Sequence, residues 1–203
     1  MKFVYVAIAL LALFGNMNRL VAEEKEVMLF DGSSLDAWDF GEGAWEIDED
    51  GALTCNLKEG TDKQGNPKMV GMGFIWSKKE YGDFELSLSY KLSEGANSGV
   101  FFRSDRDDAV HNGFEIQLMD NEGFQKNKGP LDARKLHGSF YEGKAASSNP
   151  ANPVGEWDTM TVKAVGPKIS CSINGVEVFN VDVNDWPEVG KNPDGTPNKF
   201  KIA

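Results

Sequence analysis

The run Phe114-Glu-Ile-Gln-Leu-Met-Asp120 holds the densest group of chemically useful side chains in the chain. Read as a strand, its two-residue period sets Phe114, Ile116 and Leu118 on one face and Glu115 and Gln117 together on the other. A bulge after Gln117 would bring Asp120 to the same surface. A carboxylate so placed can move protons, and Gln117 can hydrogen-bond a substrate without ionising. In the preceding run, Asn97-Ser-Gly-Val-Phe-Phe-Arg-Ser104, Phe101 and Arg103 share a face. Arg103 is therefore expected beside Glu115, to orient the carboxylate or to donate a fork of hydrogen bonds to substrate oxygens. A surface ion pair of small energy is the plainer alternative. His137, in His137-Gly-Ser-Phe-Tyr141, titrates near neutrality and is a second proton-transfer candidate, with a hydrogen-bonded structural histidine as the alternative. Glu115, His137 and Arg103 form the expected catalytic set, and Gln117, Asp120, Phe101, Trp157 and Tyr141 the expected substrate contacts. Trp157 either stacks on a sugar face or fills the core.

These side chains need a rigid frame, and the rest of the chain supplies strand signals for one. Phe84-Glu-Leu-Ser-Leu-Ser-Tyr-Lys-Leu92 alternates strictly, with Phe84, Leu86, Leu88, Tyr90 and Leu92 on one side. Shorter runs are expected at 27–30, 45–47, 52–57, 73–77, 100–104, 113–119 and 157–165. Runs 169–173 and 176–181 flank Asn174-Gly175, a type I′ hairpin signal. Residues 58–68, 122–135 and 145–155 read as loops, and 184–189 as at most a brief helix. Short alternating strands between turn residues predict an all-β, two-sheet antiparallel jelly-roll sandwich.

Met1-Lys2 precedes twelve apolar residues, Phe3 to Phe14, and a short polar stretch runs on to Ala22. This is the pattern of a signal peptide and is too short for a comfortable membrane span. The expectation is a leader over 1–22, one domain over 23–203, and a periplasmic or secreted product. Removing Lys2 and Arg19 takes the formal net charge from -11 to -13. Such acidity argues against nucleic acid and anionic membranes as partners. Cys55 and Cys171 both look inward-facing, and either pair as a disulfide or stay as buried thiols. Asp105, Asp107 and Asp108, and Asp120, Asn121 and Glu122, offer oxygen ligands of the kind Ca²⁺ takes, without diagnostic spacing. No cofactor is required by the sequence, and a metal is left open. The end at Asn198-Lys-Phe-Lys-Ile-Ala203 reads as an ordered segment lacking a turn, cap or polar tail, so a truncated C-terminus is expected.

The spacing Glu115-x-Gln117-x-x-Asp120 resembles the catalytic strand of jelly-roll β-glucanases, Glu-x-Asp-x-x-Glu, with Gln117 replacing an ionisable residue. A wider resemblance runs over nearly the whole chain after the leader. Its carriers, in order, are Leu29-Phe-Asp-Gly-Ser-Ser-Leu-Asp-Ala-Trp38, Trp45-Glu-Ile with Gly51-Ala-Leu-Thr54, Tyr81-Gly-Asp-Phe-Glu85, Asn97-Ser-Gly-Val-Phe-Phe-Arg103, Gly113 to Asp120, Gly155-Glu-Trp157 and Asn174-Gly175. Together they resemble the 3-keto-disaccharide hydrolase family, a sandwich of concanavalin and laminin G type. The family's usual last strands, with Gln-Asp-His-Gly and Arg-Asn-Ile segments, have no counterpart here.

The resemblance implies cleavage of glycosides already oxidised at C3, in concert with a separate sugar 3-oxidoreductase. Glu115 or His137 would remove the acidified C2 proton, and Arg103 or Gln117 would hydrogen-bond the enolate oxygen. A non-catalytic carbohydrate-binding module using Phe101 and Trp157 as platforms is the alternative, and an adhesion domain of laminin G type a third.

Overall fold

The protein is described from a computed structural model that covers residues 4–12, 25–61 and 65–200. Its strands run in chain order Val4–Ala12 (β1), Lys25–Met28 (β2), Trp38–Phe40 (β3), Trp45–Ile47 (β4), Leu53–Cys55 (β5), Leu57–Thr61 (β6) and Pro67–Gly71 (β7). Ile75–Ser77 (β8), Phe84–Leu92 (β9), Asn97–Phe102 (β10), Phe114–Met119 (β11), Trp157–Val165 (β12), Lys168–Ile173 (β13) and Val176–Asp182 (β14) follow, with one helix, Asn121–Lys128 (α1).

The large layer is an antiparallel sheet in the order β14-β13-β12-β9-β1-β5-β4, with β2 also on β1. β9 behaves as its alternation dictates: Phe84, Leu86, Leu88, Tyr90 and Leu92 are buried and Ser87 is exposed. β13 and β14 are joined by the expected hairpin, with positive φ at Asn174 (49°) and Gly175 (78°), the conformation a type I′ turn demands. The facing layer is built on β10 and β11, and residues 138–141 extend it. Ser139 accepts from the Gln117 amide, and the Gly138 and Tyr141 amides donate to Gln117 and Glu115 carbonyls.

The core lies between the layers, where Tyr90, Met160, Val162, Ile169 and Ile173 of one meet Ile116, Leu118 and Phe140 of the other. A smaller cluster of Phe30, Trp38 and Leu53 adjoins it through Leu29, which packs against both. The sandwich expected from the sequence is the architecture observed.

Several local expectations give way. Residues 58–68 are not all loop: 58–61 belong to β6 and 67–68 to β7, and the two strands pair antiparallel. Residues 122–135 begin with α1, because the Asp120 side chain caps the helix by accepting from the Gly123 amide. The brief helix expected at 184–189 is one 3₁₀ turn at Val183–Asp185. Cys55 and Cys171 are both free thiols. Their strands, β5 and β13, are separated in the sheet by β1, β9 and β12. At about 4.8 Å per strand step that separation exceeds a disulfide's reach. Burial pushes the Cys171 thiol up to about 12.

Of the leader expected over 1–22, only β1 falls within the described residues. It is a strand between β9 and β5, with Val4 opposite Leu92 through to Leu11 opposite Glu85. At the other end, residues 201–203 lie outside the described residues.

Candidate active site

β11 is buried on both faces, which its sequence does not suggest. The outer face carries Glu115, 9% exposed, and Gln117, 2% exposed. The register aligns Phe101 of β10 with Glu115 and Gly99 with Gln117. Gly99 is required there, because a Cβ would lie 2.8 Å from Cγ of Glu115. The Tyr141 amide donates to the Glu115 carbonyl, so that Tyr141 flanks Glu115 on the side away from Phe101.

The group that completes this cluster comes from the far end of the chain. Lys199 Nζ forms a short ion pair with Glu115 Oε2 and stands 4.4 Å from the Tyr141 ring centroid and 5.2 Å from that of Phe101. Only about a tenth of either charged side chain is exposed. Two aromatic rings and a carboxylate thus hold the ammonium in partly dehydrated surroundings. Burial raises the Glu115 pKa, and the hydrogen bond and charge of Lys199 oppose that rise. Gln117 has no hydrogen-bond partner for Oε1 among the described residues. A buried amide oxygen left without a partner is costly, so an acceptor stays unfilled beneath this face.

Lys199 is placed by packing on one side and hydrogen bonding on the other. Phe200, next in sequence, inserts against Phe114 (5.5 Å) and Phe140 (5.3 Å) of the core. Asn192 holds the loop before it: Oδ1 accepts from Trp186 Nε1 and Asn198 Nδ2, and Nδ2 donates to the Glu142 carbonyl. Nothing in the local sequence marks Lys199, although the readable core signal of Phe200 beside it points to the segment.

The other expected members do not gather here. Arg103 does not stand beside Glu115: its φ of 49° breaks the alternation after β10. Its guanidinium turns to the Gly166 carbonyl (2.6 Å) and the Asp83 carboxylate (3.2 Å). Asp120 does not join Glu115 either, because the β10–β11 register runs without a bulge. Its carboxylate accepts from the Gly123 and Gly95 amides. Trp157 is 42% exposed on the outer face of β12, under the Lys91 ammonium. It and Phe101 are on the outsides of opposite layers and cannot form one platform.

His137 is on the core side. Nδ1 accepts from the Met119 amide, which leaves the proton on Nε2, 2.8 Å from the Tyr90 hydroxyl. Burial lowers its pKa to about 4, so the ring is neutral at physiological pH. His137 and Asp120 instead line a cleft of about 400 Å³ at the end of the sandwich, with Glu122, Asn152 and Asp158. Among the described residues no three His, Cys, Asp or Glu side chains converge to hold a metal ion. No helix there is long and apolar enough to cross a membrane.

The model of the 3-keto-alpha-glucoside-1,2-lyase-like domain matches residues 25–203. The chain belongs to that family. A curated relative of this lyase-like domain, the 3-keto-disaccharide hydrolase of Bacteroides thetaiotaomicron, is 28% identical over 196 residues. The match covers 87% of this chain and 66% of that protein. Two Parabacteroides distasonis structures, provisionally described as glycosyl hydrolases, share the fold of the lyase-like domain. One has a TM-score of 0.67 at 29% identity over 83% of this chain and 78% of its own. The other has a TM-score of 0.66 at 20% identity over 87% and 82%, respectively.

Proposed function

We propose that the chain cleaves the glycosidic bond of 3-keto-glycosides, with 3-keto-disaccharides as the substrate class. The observation that carries the reading is the buried Glu115–Lys199 pair between the Phe101 and Tyr141 rings. A ketone at C3 acidifies the proton on C2. Glu115, whose pKa burial raises and Lys199 partly holds down, takes that proton in its carboxylate form. The C2–H electrons enter the enolate and then form the C1–C2 double bond as the C1–oxygen bond breaks. The departing oxygen recovers a proton from Glu115 or water, and water then adds across the double bond, giving net hydrolysis. As Glu115 is neutralised, the Lys199 ammonium loses its anionic partner just as negative charge develops on the ketone oxygen, and it is available to stabilise that charge. The family description supports this reading, since a 1,2-lyase acts at the same two carbons.

In this reading Arg103 braces the scaffold through Asp83 and Gly166, and His137 is a structural histidine. A separate sugar 3-oxidoreductase supplies the ketone, and the protein works outside the cytoplasm once its leader is removed. The test is incubation of the purified protein with 3-keto-trehalose and 3-keto-lactose, following free glucose, with the unoxidised disaccharides as controls. Release that Glu115→Gln abolishes is the expected result. Sugar binding without release would favour a carbohydrate-binding module, and loss of rate on dialysis against a chelator would add a metal to the scheme.

A further inference from the structure

We propose that Phe74 is the platform for the second sugar ring, the one that leaves when the glycosidic bond breaks; this rests on the function proposed above. Phe74 is 44% exposed, yet it is not an isolated surface residue. Its ring meets Phe101 edge-on at 5.2 Å and lies 5.6 Å from Trp76 at a tilt of 40°. Phe101 is the ring beside which Lys199 stands. One ring-to-ring step therefore leads from the Glu115–Lys199 pair out to an exposed aromatic surface, as adjacent rings of a disaccharide require.

The platform is held rigidly. Gly73 has a φ of +127°, a conformation side chains other than glycine's rarely allow, and its carbonyl accepts from Trp45 Nε1 at 3.1 Å. Beyond Phe74, β8 pairs with β3. The Arg106 guanidinium lies 5.7 Å over the Trp76 ring and is fixed by Asp39 and the Ser77 carbonyl. Phe74 is thus exposed and preorganised, and the cost of ordering it is met in folding rather than in binding. An aromatic surface lacking a charge of its own suits the C–H face of an uncharged pyranose.

The experiment compares kcat/KM for a 3-keto-disaccharide with that for the corresponding methyl 3-keto-glycoside, which has no second ring, in wild type, Phe74→Ala and Phe74→Tyr. Circular dichroism confirms folding. The expected result is a fall of roughly tenfold in the disaccharide-to-methyl ratio for Phe74→Ala, restored by Phe74→Tyr. An unchanged ratio overturns the platform while leaving the proposed function standing. A wild type inactive on both substrates overturns that function and this inference with it.

Discussion

Glu115 and Lys199 stand 84 residues apart in sequence and close an ion pair flanked by the rings of Phe101 and Tyr141. The pair sets the charge state of the proposed base. Burial, the larger effect, raises the Glu115 pKa, and the hydrogen bond and charge of the ammonium oppose that rise.

Replacing Lys199 with Met removes that support, so the Glu115 pKa rises further. A base acts only when deprotonated, and the acid limb of the kcat/KM–pH profile is therefore expected at higher pH in Lys199→Met than in wild type. Lys199→Arg, which keeps the charge, returns the limb toward its wild-type position. A limb that does not move would show that Glu115 is not the group titrating in the profile.

Gly99→Ala drives a methyl group into Glu115. The expected cost is about 1–3 kcal/mol of stability, the range for overpacking, with a larger fractional loss of turnover because the carboxylate must move. Gly82 has nothing within 4 Å of an added Cβ, so Gly82→Ala is the matched control in urea unfolding and activity assays.

His137 gives stability a pH dependence of definite sign. Its pKa falls from 6.5 to about 4 on folding, so the unfolded chain binds the extra proton in that window. Its contribution is complete above pH 6.5 and is lost as pH falls through 4, by about 3 kcal/mol in all. Urea midpoints at pH 7 and pH 4 should differ less in His137→Gln than in wild type; equal differences would contradict a neutral buried ring.

β1 joins β9 to β5, and a chain starting at Glu23 would leave both edges unpaired. We expect its Tm to fall by roughly 5–10 °C and amide exchange to quicken in 53–55 and 84–92, while β13 and β14 stay protected. An unchanged Tm would show that the sheet does not depend on β1. Mass spectrometry of the exported protein tells which form exists after secretion.

Much of the frame was legible because strand alternation is a local property. β9, β4 and β12 occupy the residues their patterns mark, as does the Asn174-Gly175 turn. The pairing of β6 with β7 was hidden because Lys58, Glu59 and Lys68 are exposed and show no apolar face. α1 was hidden because Asp120 looked like a site residue when its work is capping.

For the site, the strand period by itself determined that Glu115 and Gln117 share a face, since side chains alternate wherever the backbone is extended. It could not determine what covers that face. Tertiary structure decided this by bringing Lys199 onto Glu115 and turning Arg103 away at a positive φ. It also locked both His137 nitrogens inside the core. Each of those outcomes depends on groups distant in sequence or on one backbone torsion, and neither residue type nor spacing encodes them.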